Sequence, residues 1–291
     1  YDKSEDDLSP NDFVNIDEKL NEFSLNTQIT TLNGAKAFCK YKEADTSNID
    51  KLLISKTEQR ENNINKNSLS QKQQENWINF PILKERFQQF VDYKMDTFDS
   101  FTRARNLLLL AFYVYLPPVR IGNYQFMKLR YKKVREAKSL AKGYNYLMID
   151  DDKYTLCFNK YKTAKFLGQI NHAITNPNLI KIINHFLVIR EKVRTNKRNT
   201  QLFFNSVNQK EMTQSNITDT MKQITKQVLG REMSVDLLRH IFITEVAKNQ
   251  HSIEERKKIA NFMGQTYNPT MFEKYIKQPP APSNGHLMTF D

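Results

Sequence analysis

Cysteine is nearly absent: only Cys39 and Cys157 occur in 291 residues, each inside an apolar pattern. A disulfide framework and a cysteine-based metal site are therefore excluded as organising devices, and a reducing, intracellular setting fits. Long apolar runs are missing too. The longest, residues 107–116, falls well short of the roughly 20 residues that span a bilayer, and Pro117 and Pro118 stop it, so no membrane association is expected. No signal-peptide pattern precedes it, which points away from secretion, and the opening Tyr1 in place of Met suggests a trimmed N-terminus. There is no internal repeat, glycine-rich phosphate loop, zinc-ligand spacing or carboxylate cluster. Nucleotide-driven and metal-driven chemistry thus have no motif to stand on, and neither a cofactor nor a metal is expected.

What is present is basic charge. Lys and Arg number 44 against 32 Asp and Glu, giving +12 and a pI near 9.4. Such a surplus favours a polyanionic partner through phosphate contacts and counterion release. With 39% hydrophobic and 11% aromatic residues, the chain can bury the cores of one large or two modest domains. The expected fold class is mainly α with a small antiparallel β-sheet (α+β).

Periodicity places the elements. Residues 1–10 are acidic and aperiodic, and a short helix is expected over 13–25. Asn26 or Thr27 caps a second helix in which Ile29, Leu32, Ala35, Phe38 and Cys39 form a stripe while Lys36, Lys40 and Lys42 face out. A third is expected over 50–60. The asparagine-rich stretch 61–68 has no pattern and marks a domain boundary. Beyond it, 69–77 opens the second domain, with Trp77 as an anchor of the core or of the face that meets the polyanionic partner. Residues 81–95 and 98–115 read as long helices, the second almost wholly apolar and central. Pro117 and Pro118 end it and throw Arg120 onto a loop or a new helix start.

A basic stretch over 128–142 contains Lys132, Lys133 and Arg135, candidate DNA contacts. Alternation then predicts strands around Tyr144, Tyr146 and Met148, around Tyr154, Leu156 and Phe158, and over 167–174. The second hairpin tip, 159–165, offers Lys160, Lys162 and Lys165 on a flexible turn able to reach a DNA groove. Helices follow over 178–193 and 215–229, with apolar 202–204 between. Residues 234–276 read as three short helices. Ser234 caps the first, which carries Asp236, Arg239 and His240 on one side; Ser252 and Glu255 box the second, which Gly264 ends; Asn268 and Pro269 start the third, which bears Tyr275.

Four separated elements, running from about 107 to 276, resemble one family. They are Leu116-Pro117-Pro118-Val119-Arg120 after an apolar helix, Lys162-Thr163 in a hairpin, Leu238-Arg239-His240 with Thr244, and Gly264-Gln265 followed about ten residues on by Tyr275. This set resembles the tyrosine recombinases, or phage-type integrases, and is most similar to integrases carried by virophages and giant DNA viruses. The resemblance implies a helical core-binding segment over 1–67, incomplete at its N-terminus, a catalytic domain over 68–276, and a C-terminal tail over 277–291. It implies a site-specific recombinase that cuts and rejoins double-stranded DNA without metal or ATP, as a homotetramer in synapsis, in a host nucleus or viral replication site. The tail, with its Pro-rich 279–282 and apolar Leu287, Met288 and Phe290, is expected to act between subunits.

The chemistry suits those residue types. Fixed guanidinium forks hold both non-bridging phosphate oxygens, roles the resemblance gives to Arg120 and Arg239. Tyr275 would attack phosphorus and form a 3′-phosphotyrosyl link, while Lys162, with Lys160 and Lys165 as alternatives, would protonate the departing 5′ oxygen. Two positions depart from the family pattern: Asp236 and Gln265 stand where histidine, or histidine or tryptophan, is usual. Asp236 could accept a proton or orient Arg239, yet a carboxylate beside phosphate is adverse. His240 could serve in its place, and Gln265 could still donate to phosphate. Two alternatives stay open: a recombinase-derived DNA-binding protein that no longer cuts, and a type IB topoisomerase-like enzyme.

Overall fold

Several helices begin here where a side chain takes up a free N–H group. In the computed structural model, which describes residues 9, 13, 16–65, 69–125, 127–131, 134–193, 199–249, 251–269 and 275–278 (without the side chains of 63–65, 134 and 135), helix α1 is Ile16–Leu20. Ser24, not Asn26 or Thr27, caps α2 (Leu25–Tyr41), its Oγ accepting from the Thr27 N–H at 3.3 Å. The helix expected over 13–25 is thus cut short at Leu20, because the chain turns before Ser24. Helix α3 (Ser47–Asn65) runs five residues into the stretch read as structureless. Exposed polar residues such as Glu61 and Asn62 leave a helix free to continue, since nothing there must be buried. Residues 1–68 form one compact unit, with Phe13, Ile16, Leu20, Leu32, Ala35, Cys39 and Ile49 as its core.

Residues 69–291 form the other unit. Ser70 and Gln73 box α4 (Gln71–Glu75), and Pro81 lies in the first turn of α5 (Phe80–Lys94). Ser100 caps α6 (Phe101–Tyr115), whose residues 107–114 are all buried. Fully burying a leucine stabilises by about 1.5–3 kcal/mol, so this run makes α6 the axis of the unit. Then come α7 (Ile121–Gln125), β1 (Met127–Tyr131), β2 (Asn145–Asp150), β3 (Lys153–Phe158), α8 (Ala164–Leu167) and β4 (Ile170–Ile174). Helices α9 (Pro177–Val193), α10 (Gln214–Leu229), α11 (Val235–Lys248) and α12 (Ile253–Phe262) complete it.

The sheet is mixed rather than antiparallel throughout. Strands β2, β3 and β4 pair antiparallel, with Tyr146 opposite Cys157 and Tyr154 opposite Ile174, while β1 lies parallel to β2, Met127 facing Asn145. Strand β1 falls in the stretch read only as basic. Its free edge is taken up from afar, Leu129 N–H donating to Thr200 O at 2.7 Å and Leu202 N–H to Met127 O at 2.8 Å. Strand β4 begins at Ile170, not 167, because a single helical turn precedes it and Gly168 takes φ +70°. Both cysteines are free and buried. Among the described residues no helix is long and apolar enough to cross a membrane, and no cluster of His, Cys, Asp and Glu could hold a metal ion. The acidic start 1–10 apart from Ser9, most of the helix expected from Asn268, and the tail beyond Gln278 lie outside the described residues.

Candidate functional site

Ser234 Oγ accepts from the Leu237 N–H at 3.1 Å and so starts α11, which sets Arg239 one turn in. Arg239 is only 3% exposed. Its NH1 lies 3.8 Å from Asp236 Oδ1, while Nε and NH2 are enclosed with no hydrogen-bond partner. Buried polar groups are nearly always paired, so two orphaned donors on one guanidinium need a reason. Burial pushes this guanidinium below the ordinary arginine value; Tyr275 and Asp236 oppose that shift and Arg120 adds to it. Arginine remains charged through such changes.

Arg239 opens onto a cleft of roughly 590 Å³ that Arg120, Lys160, Lys162 and Asp236 also line. Arg120 sits between Val119, which is fully buried, and α7, with its carbonyl accepting from the Asn123 N–H at 2.9 Å. Asp236 is the one carboxylate among the cleft-lining residues. The first turn of α10 and the capping residue of α11 border the same space through Gln214 and Ser234.

The lysine turn, expected to be flexible, is fastened at both ends. At its start Asn159 and Lys160 donate their N–H groups to Asn145 Oδ1. At its far end Thr163 Oγ1 donates to Gly264 O at 2.6 Å, and between them Tyr161 OH donates to Gly168 O at 2.6 Å. Gly264 ends α12 with φ +65°; its N–H reaches Asn261 O and the next N–H, of Gln265, reaches Ala260 O, both at 2.9 Å. Lys162 itself is exposed. Glu211 is held above the usual carboxylate range by burial, with Lys160 and Lys128 opposing.

Tyr275 does not line this cleft; it is half-buried against Ile243, Val246 and Met263. Its ring centroid lies 5.4 Å from Arg239 Cζ. His240 Nδ1 is 2.9 Å from Tyr275 O. A carbonyl only accepts, so Nδ1 carries the proton, and His240 holds the backbone of Tyr275 rather than its hydroxyl. Burial keeps the His240 imidazole below its ordinary value. One residue pair on, Lys277 N–H donates to Thr244 Oγ1 at 3.0 Å.

Other expected site residues scatter. Gln265 does not line the cleft, and its Nε2 is enclosed without an acceptor. Lys165 is exposed, its Nζ 4.8 Å from the Phe166 ring centroid. Lys36 is half-buried and ion-paired to Asp50 at 2.5 Å rather than facing out, while Lys40 is exposed. Lys132 and Lys133 and the Arg135 side chain lie outside the described residues. Sequence reasoning missed Gln214 and Thr218, which line the cleft, and Asn145, which fastens its lysine turn; Thr163 was quoted beside Lys162 without its fastening role. Asn145 did leave a trace, as an amide beginning an otherwise apolar strand.

No family model matches the chain, and no curated protein matches it. Among solved structures it is similar to one described as "Crystal structure of XerA recombinase", at 14% identity and a TM-score of 0.42, over 95% of this chain and 81% of that one.

Proposed function

We propose that this chain is a DNA strand-exchange enzyme of the tyrosine-recombinase type, cutting and rejoining duplex DNA through a 3′-phosphotyrosyl link at Tyr275. The observation that carries it is Arg239: a buried guanidinium with two unpaired donors, opening onto a cleft that also holds Arg120, Lys160 and Lys162. A phosphodiester in the cleft would give this poorly compensated guanidinium an anionic partner, and two guanidinium forks around it would stabilise the charge that grows on its oxygens.

In the reaction the Tyr275 oxygen bonds to phosphorus and the bond from phosphorus to the 5′ oxygen breaks. The phenolic proton passes to Asp236, the carboxylate of the cleft, and Lys162 gives a proton to the departing 5′ oxygen. His240 and Thr244 keep the Tyr275 segment seated on α11. Because the protein–DNA bond conserves the energy of the broken one, attack by another 5′ hydroxyl reverses the step without nucleotide or metal. Recombination of two sites calls for several copies on DNA, a tetramer in synapsis, and a chain resembling viral integrases would act in genome integration, in a host nucleus or viral replication site.

Asp236 also supports a second reading, a DNA-binding protein that no longer cuts, because it sets a negative charge where phosphate must enter. Trapping separates the two. A pool of nicked duplexes with randomised sequence around the nick, in which the cut end diffuses away, should give a covalent adduct stable to denaturation with the wild type. None should form with Tyr275→Phe, which folds alike because removing one hydroxyl from a half-buried ring disturbs little packing. A wild type that binds the pool yet never forms the adduct favours the second reading.

A further inference from the structure

Asn145 has no exposed surface, opens β2, and spends every hydrogen-bonding valence of its amide. Its Nδ2 donates to Asn123 O at 2.7 Å and to Lys160 O at 2.9 Å. Its Oδ1 accepts from Asn159 N–H at 2.8 Å and from Lys160 N–H at 2.7 Å. All four partners are backbone groups, so what the amide fixes is the course of two chain segments. One is the start of α7, where Asn123 is also tied to Arg120 O. The other leads to Lys162, two residues beyond Lys160.

We infer that Asn145 is the positioning residue that sets the lysine turn against the Arg120 segment, so that the proton donor and the phosphate-holding arginine face one reacting phosphate. This role rests on the strand-cleaving reading above. The Arg120 side of the joint is anchored independently, since Tyr124 of α7 is fully buried and stacks on Phe112 with centroids 5.1 Å apart. On the turn, Tyr161 is only partly buried against the core and donates to Gly168 O, and Thr163 holds Gly264 O past Lys162. A weakened joint therefore moves the turn more readily than the arginine.

Asn145→Asp isolates the effect. Its shape is that of asparagine and it still accepts from both N–H groups, but a carboxylate oxygen then faces the carbonyls of Asn123 and Lys160, repelling what Nδ2 held. Cleavage is followed on two versions of the duplex selected in the trapping experiment, one with the natural 5′ oxygen at the scissile phosphate and one with sulfur there. A thiolate leaves without needing a proton, so the sulfur version is indifferent to the lysine. Asn145→Asp should slow cleavage of the natural duplex by about 100-fold, the cost of an ångström of misplacement. It should leave the sulfur duplex near the wild-type rate, as Lys162→Ala should. Thr163→Val, which removes only the far fastening, should act in the same direction and carries the test if Asn145→Asp does not fold. Equal slowing on both duplexes, or no slowing on either, overturns the role while the cleavage reading stands. A wild type that cleaves neither duplex overturns both.

Discussion

At the scale of single residues the decisive feature is an arginine that serves its own fold poorly. Arg239 is 3% exposed, two of its donors are unpaired, and the Asp236 carboxylate is 3.8 Å away. A desolvated charge with such partial compensation commonly costs more than it returns, and an apolar residue of similar size can stabilise by 1–4 kcal/mol. Arg239→Met is therefore expected to raise the melting temperature, by about 2–8 °C for a gain of roughly 1–2 kcal/mol. It should also cut adduct formation by about 10²- to 10³-fold, as loss of one preorganised charge stabiliser does. Calorimetry and the trapping experiment on the same preparation check both. A variant that melts lower than wild type would mean that Arg239 is needed for the fold, and the opposed signs would be lost. The identity of this arginine was legible in the sequence because it lies in a capped, apolar helix. Its unpaired donors were not, since pairing depends on what other elements bring near.

At the scale of elements the helices were legible and the joints between them were not. Capping residues Ser234 and Ser252 and the apolar stripe of α6 are local signals, and the helices start beside them. Strand β1 escaped notice because its Lys128 and Arg130 merge with neighbouring basic residues. Its strand character comes from distant partners, Tyr146 and Met148 on one side and residues 200–202 on the other. The lysine turn was placed correctly in chain order yet read as mobile, because nothing local announces that Thr163 reaches Gly264, about a hundred residues later. That joint makes a prediction. A Cβ at Gly264 would stand 2.9 Å from Tyr161 Cδ2, and φ of +65° disfavours any L side chain by about 1–2 kcal/mol. Gly264→Ala should lower the melting temperature by roughly 2–8 °C, push Tyr161 away, and slow cleavage of the natural duplex more than of the sulfur duplex. Equal slowing of the two would mean that the glycine serves α12 alone.

At the scale of the whole molecule, charge and core divide the chain at the same place. The core of residues 1–68 and the cores of residues 69–291 share no residue. Residues 1–68 carry nine Lys and Arg against thirteen Asp and Glu, whereas residues 69–291 carry 35 against 19. The whole surplus of positive charge therefore belongs to the unit that holds the cleft. This sits uneasily with the expectation that 1–67 clamps DNA through Lys36 and Lys40, the more so because Lys36 is already paired with Asp50. Non-specific affinity for duplex follows the number of phosphates neutralised, and for six to ten contacts it falls by about 10³ to 10⁵ between 50 and 200 mM salt. If the phosphate contacts lie in the basic unit, a fragment of residues 69–291 folds alone and binds mixed-sequence duplex at least as tightly as the full chain. Its slope of log affinity against log salt should match that of the full chain. Titrations at several salt concentrations decide it. A fragment that folds but shows a clearly shallower slope would place phosphate contacts in residues 1–68 despite their negative balance, and Lys40, exposed on α2, would be the first of them to replace.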